Sequence, residues 1–413
     1  MKQHITLICS LFLAATTFAY SPYISKVYEY MPAPGQFVHL MPEFDPDGVG
    51  WQDLPETTCR RLMTSAANEY LVNDQQYLVS LGGWGGYIIF GFDHMVENNP
   101  SELDFQILGN AFYSNTNPNP DAPKEGGSSE PGIVMVAYDA NKNGLPDDQW
   151  YELAGSEYDN PTTRHHYSLT YYRPSVDHQP TPDSTYPYLI DTTYIRWRDS
   201  EGNTGFMSQV SFHKQPYYPI WLSADSITFY GARLADNYVD ESGTGSYYVQ
   251  YCYPWGYADN QPNNDRRSMF NISWAVTDDG TPVQLPGIHF VKVYTAVHQS
   301  CGWLGETSTE IMGAKDLHLT QEAEIDNFND VYNGLQTISP STADQLLILN
   351  NPVKDNLIVV AQERTKALII GLRGDIITEL DIKSGNNILP LAQLPGGMYV
   401  LLTSSSAYKL IKQ

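Results

Sequence analysis

Short apolar segments broken by Gly, Pro, Asn and Asp follow one another from residue 20 to about residue 319, and this pattern restricts the possible folds most. Segments rich in Val, Ile, Phe and Tyr that are bounded by such residues are typical of β-strands. The clearest are 87–90, 105–108, 133–138, 194–197, 247–251 and 290–294. Strands at this density predict an all-β fold, a large β-sandwich or jelly-roll-like domain over 20–319.

One helix is predicted within this domain, at 57–71, because Leu62, Ala66 and Tyr70 recur at helical spacing. The loops at 114–130 and 174–187 are rich in Pro, Asn and Ser. Long loops on a rigid β scaffold commonly carry binding residues, so a ligand site is expected among them.

The charge balance limits the partners of the chain. Lys and Arg number 23 against 47 Asp and Glu, which gives a net charge of −24. Phosphate contacts need concentrated Lys and Arg, so nucleic-acid binding and adhesion to anionic lipid are both disfavoured.

The N-terminus has the pattern of a secretory signal peptide. Lys2 precedes the apolar run 5–15, and Thr17 and Ala19 stand at the small positions before a cleavage site. We therefore expect residues 1–19 to be removed on export. A lipid anchor on Cys9 is disfavoured because Ile8 before it is not small.

The composition changes after a polar linker at 320–344. Aromatic residues become rare, and short aliphatic segments at 345–349, 357–360, 367–370, 376–380, 398–402 and 409–412 predict a small immunoglobulin-like β-sandwich over 345–413. This tail resembles the type IX secretion sorting domain of Bacteroidetes in NPVKDNL (351–357), Gly374, LPGGMY (394–399), Lys409 and Lys412. The resemblance implies recognition by the type IX machinery and an extracellular or outer-membrane-surface location. A spacer domain that stays in place is the alternative.

A candidate metal loop follows the segment 133–138. Asp139, Asn141, Asn143 and Asp147 occupy positions 1, 3, 5 and 9, and Gly144 occupies position 6, as in a calcium-binding loop. Position 12 is Trp150 rather than Glu, so Asp148 or Glu152 would have to supply the last ligand. The sequence predicts calcium here, with a metal-free turn rich in Asx residues as the alternative.

No catalytic constellation is identified. The glycine cluster 81–91 runs into a strand rather than a helix, which favours a tight turn over a phosphate site. Zinc-ligand spacings and a nucleophile elbow are absent from the sequence, and no carboxylate pair stands out. Of Cys59, Cys252 and Cys301, the last two are the favoured disulfide pair, with three buried reduced thiols as the alternative.

The excess of aromatic residues, with 30 Tyr and 8 Trp, points to ligand binding. Aromatic faces beside amide and carboxylate groups suit a large polar ligand such as a sugar chain or a macrocycle. The candidate ligand-binding residues are Tyr217, Tyr218, Trp255, Tyr257, Asp259, Asn260 and Trp303.

The main domain resembles a family of gut Bacteroidetes cell-surface proteins, the BtuH-type cobalamin-binding proteins. The resemblance is carried by YEYMPAPGQF (28–37), IFGFDH (89–94), GNAF (109–112), SEPGIVM (129–135), WYELAGS (150–156), FVKVYT (290–295) and WLGETSTE (303–310). It implies capture of a corrinoid at the cell surface without turnover, with an outer-membrane transporter as a further partner. A glycan-binding module is the second hypothesis, and a glycan-active hydrolase is the third.

Overall fold

The computed structural model describes residues 20–39, 54–320, 322, 346–348, 353–361, 364–371, 376–403 and 407–412. The chain forms two compact units, Met1–Val331 and Tyr332–Gln413. The predicted signal peptide, nearly all of the predicted linker, and Asn351, Pro352 and Gly374 of the sorting-domain resemblance lie outside the described residues.

The described residues of the first unit form nineteen strands and two α-helices: β1 (Lys26–Met31), α1 (Glu56–Leu71), β2 (Val79–Ser80), β3 (Tyr87–Glu97), β4 (Phe105–Leu108), β5 (Phe112–Tyr113), β6 (Gly126–Ser128), β7 (Gly132–Ala137), β8 (Trp150–Leu153), β9 (Arg164–Tyr172), β10 (Leu189–Asp199), β11 (Thr204–Val210), β12 (Ser226–Arg233), β13 (Tyr238–Asp240), β14 (Tyr248–Tyr251), β15 (Met269–Phe270), β16 (Ala275–Val276), β17 (Gly287–Thr295), β18 (Glu310–Ile311), β19 (Gly313–Asp316) and α2 (Leu317–Thr320). The all-β fold predicted from the sequence is confirmed.

The central element is a six-stranded antiparallel sheet in the order β1-β3-β17-β7-β8-β16. Val291 pairs with Phe90 on one side and Val136 on the other, so these three side chains share one face. They lie in the same core as Met63 and Ala67 of α1 and the aromatic residues of β4 and β15. Burial of this apolar face constrains the register, since a shift by one residue would turn every one of these side chains to the other face of the sheet.

The opposite face of this sheet packs on a second sheet of order β11-β10-β9-β12. Tyr87 meets Phe229 of β12 edge to face at 6.5 Å, and the Tyr294 hydroxyl accepts a hydrogen bond from the backbone N–H of Ala232. Trp84, in the glycine cluster, is completely buried between these layers and donates to the Ala232 carbonyl. The unit is therefore a β-sandwich, and the glycine cluster forms the tight turn that its sequence predicted.

Three smaller sheets flank the sandwich, in the orders β13-β14-β6-β5, β15-β4-β19 and β18-β2. They carry the residues of the candidate site described below. The predicted helix at 57–71 is confirmed as α1, whose buried side chains Cys59, Met63, Ala66, Ala67 and Leu71 recur on one face.

In the second unit, the described residues form a small sandwich of seven strands: β20 (Leu346–Ile348), β21 (Asn356–Ala361), β22 (Thr365–Gly371), β23 (Ile376–Ile382), β24 (Gly385–Pro390), β25 (Gly397–Leu402) and β26 (Ala407–Lys412). They form sheets of order β20-β21-β24 and β23-β22-β25-β26. Leu357 and Val359 from one sheet share a core with Ile369 and Leu401 from the other.

The three described cysteines form no disulfide, so the favoured pair of Cys252 and Cys301 is not present. Cys301 lies instead beside the Thr307 hydroxyl and the Gln299 amide. Neither helix of the described chain has the length and apolar character that a membrane span requires.

Candidate functional site

A cleft of about 540 Å³ opens where the flanking sheets meet the segment 301–310. Its walls come from β5, β6, β14 and β18, from the segment 36–37 after β1, and from the turn after β11. A concave site of this size falls within the range used for small-molecule ligands. We call it the carboxylate cleft after the three glutamates that line it, Glu130, Glu306 and Glu310.

Exposed aromatic rings form the rim of the carboxylate cleft. Phe112 is 58% exposed, Phe212 is 66% exposed and Trp303 is 37% exposed. The rings of Phe212 and Trp303 lie 6.1 Å apart at an angle of 71°. Large apolar rings that stay in solvent while lining a concave surface are typical of binding sites.

A tight turn with a glycine on either side presents Trp303. Gly302 has φ +57° and Gly305 has φ +86°, in the left-handed region that glycine adopts readily. A Cβ atom on Gly302 would lie 2.2 Å from Cε2 of Tyr248, and one on Gly305 would lie 2.3 Å from Nε2 of Gln36. Both backbone conformation and close packing therefore require glycine, and together they fix where Trp303 stands.

The floor of the cleft carries two buried carboxyl groups that are only half hydrogen-bonded. Oε1 of Glu306 accepts from the backbone N–H of Gln36 at 2.5 Å, and Oε1 of Glu310 accepts from the Ser80 hydroxyl at 2.9 Å. Oε2 of each glutamate is buried and receives no hydrogen bond from an N–H or hydroxyl group of the described residues. Buried acceptors normally have a donor, so these two atoms mark an incomplete polar site.

Glu310 also belongs to a cluster with Glu130 and Asp259, in which one oxygen from each carboxyl group lies within 4.8 Å of the others. Asp259 is the best anchored of the three. Its Oδ1 accepts from the backbone N–H groups of Asn110 and Ala111, and its Oδ2 accepts from that of Glu310. Its φ of +51° is one that Asp tolerates better than most residues.

Burial dominates the electrostatics of this cluster. Burial, reinforced by the charge of Glu130, raises the pKa of Asp259 and of Glu310 well above the ordinary range. Burial also raises the pKa of Glu130, and it raises the pKa of Glu306 to about 8. Ionising every carboxyl group of a buried cluster is energetically unfavourable, because the negative charges repel one another. The cluster therefore favours binding either a proton or a cation.

Among the predicted ligand residues, Trp303 lines this cleft and Asp259 lies beneath it within the carboxyl cluster. Tyr217, Tyr218 and Tyr257 are buried, with relative exposures of at most 3%. Their hydroxyl groups are used internally. Those of Tyr217 and Tyr218 donate to the carbonyls of His213 and Ala224, and that of Tyr257 accepts from the backbone N–H of Glu157. These three rings therefore pack the interior, and no ligand reaches them in this conformation.

The two remaining predicted residues also lie away from the cleft. The Trp255 ring packs against Trp274 at 4.5 Å. Asn260 is completely buried, where its amide accepts from the Ser129 hydroxyl and bridges the backbone of Tyr253. Of the seven predicted residues, Trp303 is therefore the one that lines the cleft, and Asp259 lies beneath it with its buried chain neighbour Asn260. The other four do not line the cleft.

The predicted calcium loop connects β7 to β8. Asp139 accepts from the backbone N–H groups of Asn143 and Gly144, and the side chains of Asn141 and Asn143 both donate to the Asp147 carboxylate. These amide contacts lower the pKa of Asp147. The loop thus turns its four candidate ligands toward one another. The candidate twelfth-position ligand Asp148 accepts from Ala140, and Glu152 lies in β8.

A second cleft of about 550 Å³ is lined by residues of the central sheet, including Glu152 and Lys292, and of the second sheet, including Tyr230. Tyr158 also lines it. Burial, together with the charge of Asp278, raises the pKa of Glu152 to about 8, and burial lowers the pKa of Lys292. The Lys292 ammonium already lies 4.3 Å from the centre of the Tyr87 ring. Among the Phe, Tyr and Trp side chains that line this cleft, only Tyr230 is strongly exposed, so the carboxylate cleft with its three exposed rings is the stronger candidate site.

Sequence reasoning missed Glu130, Glu306, Glu310, Phe112 and Phe212. A signal was nevertheless present, since four of the segments that carry the resemblance, 28–37, 109–112, 129–135 and 303–310, meet at this cleft. The chain matches no family model and no curated protein. The assignment of a function therefore depends on the chemistry of the site.

Proposed function

We propose that the chain binds a bulky polar ligand in the carboxylate cleft without turning it over, and that this ligand is a corrinoid. The observation that carries the proposal is the combination of the exposed Phe212 and Trp303 rings with two buried carboxyl oxygens that lack donors. A corrinoid offers both complementary groups, because it has an apolar macrocycle and a rim of amide N–H donors.

The energetics of such a complex are divided between the two parts of the cleft. Apolar contact with the rim contributes about 25 cal/mol per Å² of buried area before the costs of association. A ligand amide that reaches Oε2 of Glu306 would satisfy a polar atom that is otherwise buried without a partner among the described residues. The rim therefore supplies affinity, and the floor selects ligands with hydrogen-bond donors.

The spacing of the carboxyl groups supports binding rather than hydrolysis. Oxygens of Glu130 and Glu310 approach within 4.8 Å, and the two groups are placed to share a proton. Retaining glycosidases hold their two carboxyl groups roughly 5–5.5 Å apart, and inverting enzymes hold them farther apart. Glu130 and Glu310 are hydrogen-bonded to each other, so this pair is closer together than the carboxyl groups of either arrangement.

Calorimetry with cyanocobalamin tests the proposal. We expect saturable binding to the wild type and at least about tenfold weaker binding to Trp303→Ala, from the loss of one exposed ring contact. Tyr230→Ala is the matched control, because Tyr230 is 75% exposed but lines the second cleft. Equal loss in both variants, or none in Trp303→Ala, would contradict binding at the carboxylate cleft.

Glycan binding is the second candidate, favoured by the angled pair of Phe212 and Trp303. Sugar rings stack on such aromatic faces, and their hydroxyls can donate to carboxylates. Retention on a glycan array without any heat from cyanocobalamin would support this candidate. Release of reducing sugar would support the hydrolase instead.

We also propose that the protein is exported by a signal peptide and carried to the cell surface by type IX secretion, with calcium bound at the Asp139 loop. The separate core of the second unit supports a tail that can be recognised and removed on its own. Mass spectrometry of protein purified from the cell surface should find residues 1–19 and the chain after about 345 missing. Recovery of Gln413 as the C-terminus would contradict removal of the tail.

A further inference from the structure

Three neighbouring carboxyl groups, at and beneath the floor of the carboxylate cleft, lack a positive partner among the described residues. Glu130, Asp259 and Glu310 lie within 4.8 Å of one another, and none of them forms an ion pair with a Lys, Arg or His of the described chain. Concentrating carboxylates in a buried site without a counter-charge is costly. Acidic clusters also occur without a bound ion, so the hydrogen bonding of each carboxyl group must show whether a ligand is needed here.

The second observation is the orphaned oxygen of Glu310. This side chain is only 4% exposed and lines the cleft, yet its Oε2 receives no hydrogen bond from an N–H or hydroxyl group of the described residues. Within the cluster, the group that its carboxyl meets is another acid, Glu130. Glu306, 7% exposed and outside the cluster, has an orphaned Oε2 lining the same cleft. A buried Glu310 oxygen that faces acids and no N–H or hydroxyl donor needs either a proton or a cation.

The donor set is made of oxygen. Asp259 Oδ2 accepts a single backbone N–H and so keeps a lone pair, and Glu130 lies 3.5 Å from the Ser128 hydroxyl. The three members of the cluster contribute no nitrogen or sulfur ligand. Hard oxygen ligands in an irregular, partly open arrangement suit calcium better than zinc or a thiophilic metal.

We propose that Glu130, Asp259 and Glu310 bind a calcium ion at the floor of the carboxylate cleft, separate from the loop at Asp139. A proton shared between Glu130 and Glu310 would remove one charge, but a divalent ion neutralises two and also occupies Oε2 of Glu310. Because Glu130 and Glu310 line the cleft, the ion reaches the space that an organic ligand would fill. The inference stands whether that ligand is a corrinoid or a glycan.

Calcium titration of the full chain after chelation tests this proposal by calorimetry, with no organic ligand present. The Asp139→Ala variant removes the loop from the measurement. We expect this variant to retain one calcium site, and Asp139→Ala combined with Glu310→Gln to bind at least about tenfold more weakly. Asp139→Ala combined with Asp278→Asn is the matched control, since Asp278 is an acid of the second cleft, and it should bind as Asp139→Ala does.

Two results would overturn the proposal. One is an Asp139→Ala protein that takes up no calcium, a result that needs no change in the cluster. The other is unchanged affinity when Glu310→Gln, or Glu130→Gln as the second cluster variant, is added. Near-ultraviolet circular dichroism of each variant establishes that the fold is intact.

Discussion

The backbone N–H of Glu310 donates a 2.9 Å hydrogen bond to Oδ2 of Asp259, although the two residues are 51 positions apart. The same carboxylate accepts from the N–H groups of Asn110 and Ala111. Asp259 thereby joins three segments of chain and brings its own negative charge next to the Glu310 carboxyl group. The hydrogen bonds of Asp259 stabilise the fold, whereas its charge beside Glu310 destabilises it. The free energy of unfolding of single variants separates the two effects.

Glu310→Gln should stabilise the calcium-free protein at pH 7 by about 1 kcal/mol, because it removes a buried acid from a cluster of like charges and adds an amide donor. Asp259→Asn removes the same formal charge but should destabilise by about 1–3 kcal/mol, because one acceptor for backbone N–H groups is lost. Urea unfolding in chelator measures both. A lower unfolding free energy for Glu310→Gln in chelator would show that repulsion among the carboxyl groups is not the main effect of Glu310 on stability.

The loop at Asp139 should make thermal stability depend on calcium. An ion that binds only the folded state adds about 2.7 kcal/mol at a concentration one hundred times its dissociation constant. We expect chelator to lower the melting temperature and Asp139→Ala to remove most of that response. Unchanged melting in chelator for both proteins would favour the metal-free turn rich in Asx residues.

Gly302→Ala should cost about 2–4 kcal/mol of stability, since it combines a strained φ with a Cβ atom 2.2 Å from the Tyr248 ring. Gly243→Ala is the matched control. Gly243 has φ +64°, but its Cβ would meet nothing within 4 Å, so only the backbone cost of about 1 kcal/mol applies. Equal losses in denaturant unfolding would show that packing against Tyr248 does not hold the turn.

His39 should make the protein less stable in acid. The side chain is buried, and Nε2 accepts from the backbone N–H of Ile220 at 3.1 Å. Burial lowers its pKa from 6.5 to about 4. Since the unfolded chain binds this proton and the folded chain does not, stability is complete above pH 6.5 and falls toward pH 4, by up to about 1.4 kcal/mol per pH unit.

The variant His39→Gln keeps an acceptor for Ile220 but does not titrate in this range. Its unfolding free energy, measured between pH 7.5 and pH 5, should fall less steeply than that of the wild type. Parallel curves for the two proteins would mean that His39 is protonated in the folded state.

The strands and α1 could be predicted from the sequence because apolar periodicity is local. Ile88 and Phe90, for example, alternate with side chains of the opposite face of β3, and Met63 and Ala67 share one face of α1. The tail could be predicted for the same reason. Its aliphatic segments form two sheets around Leu357 and Ile369.

The site could be predicted only in part, because its residues converge through long-range pairing. Tyr217 and Trp303 are equally plausible binding residues by composition, yet the first is buried and the second stands exposed on its turn. No local pattern in the sequence distinguishes Glu130 and Glu310 from other acidic residues. They become a cluster with Asp259 only through long-range folding. Which aromatic residue faces solvent depends on sheet packing that no single segment encodes.

Gel filtration with cyanocobalamin is the most direct test of corrinoid binding in the carboxylate cleft, because the visible absorbance of the ligand reports where it elutes. We expect one equivalent per chain to co-elute with the wild-type protein and co-elution to be lost or strongly reduced in Trp303→Ala. Elution of all the cyanocobalamin in the free-ligand volume, with wild-type protein well above micromolar concentration, would show that the cleft does not bind a corrinoid.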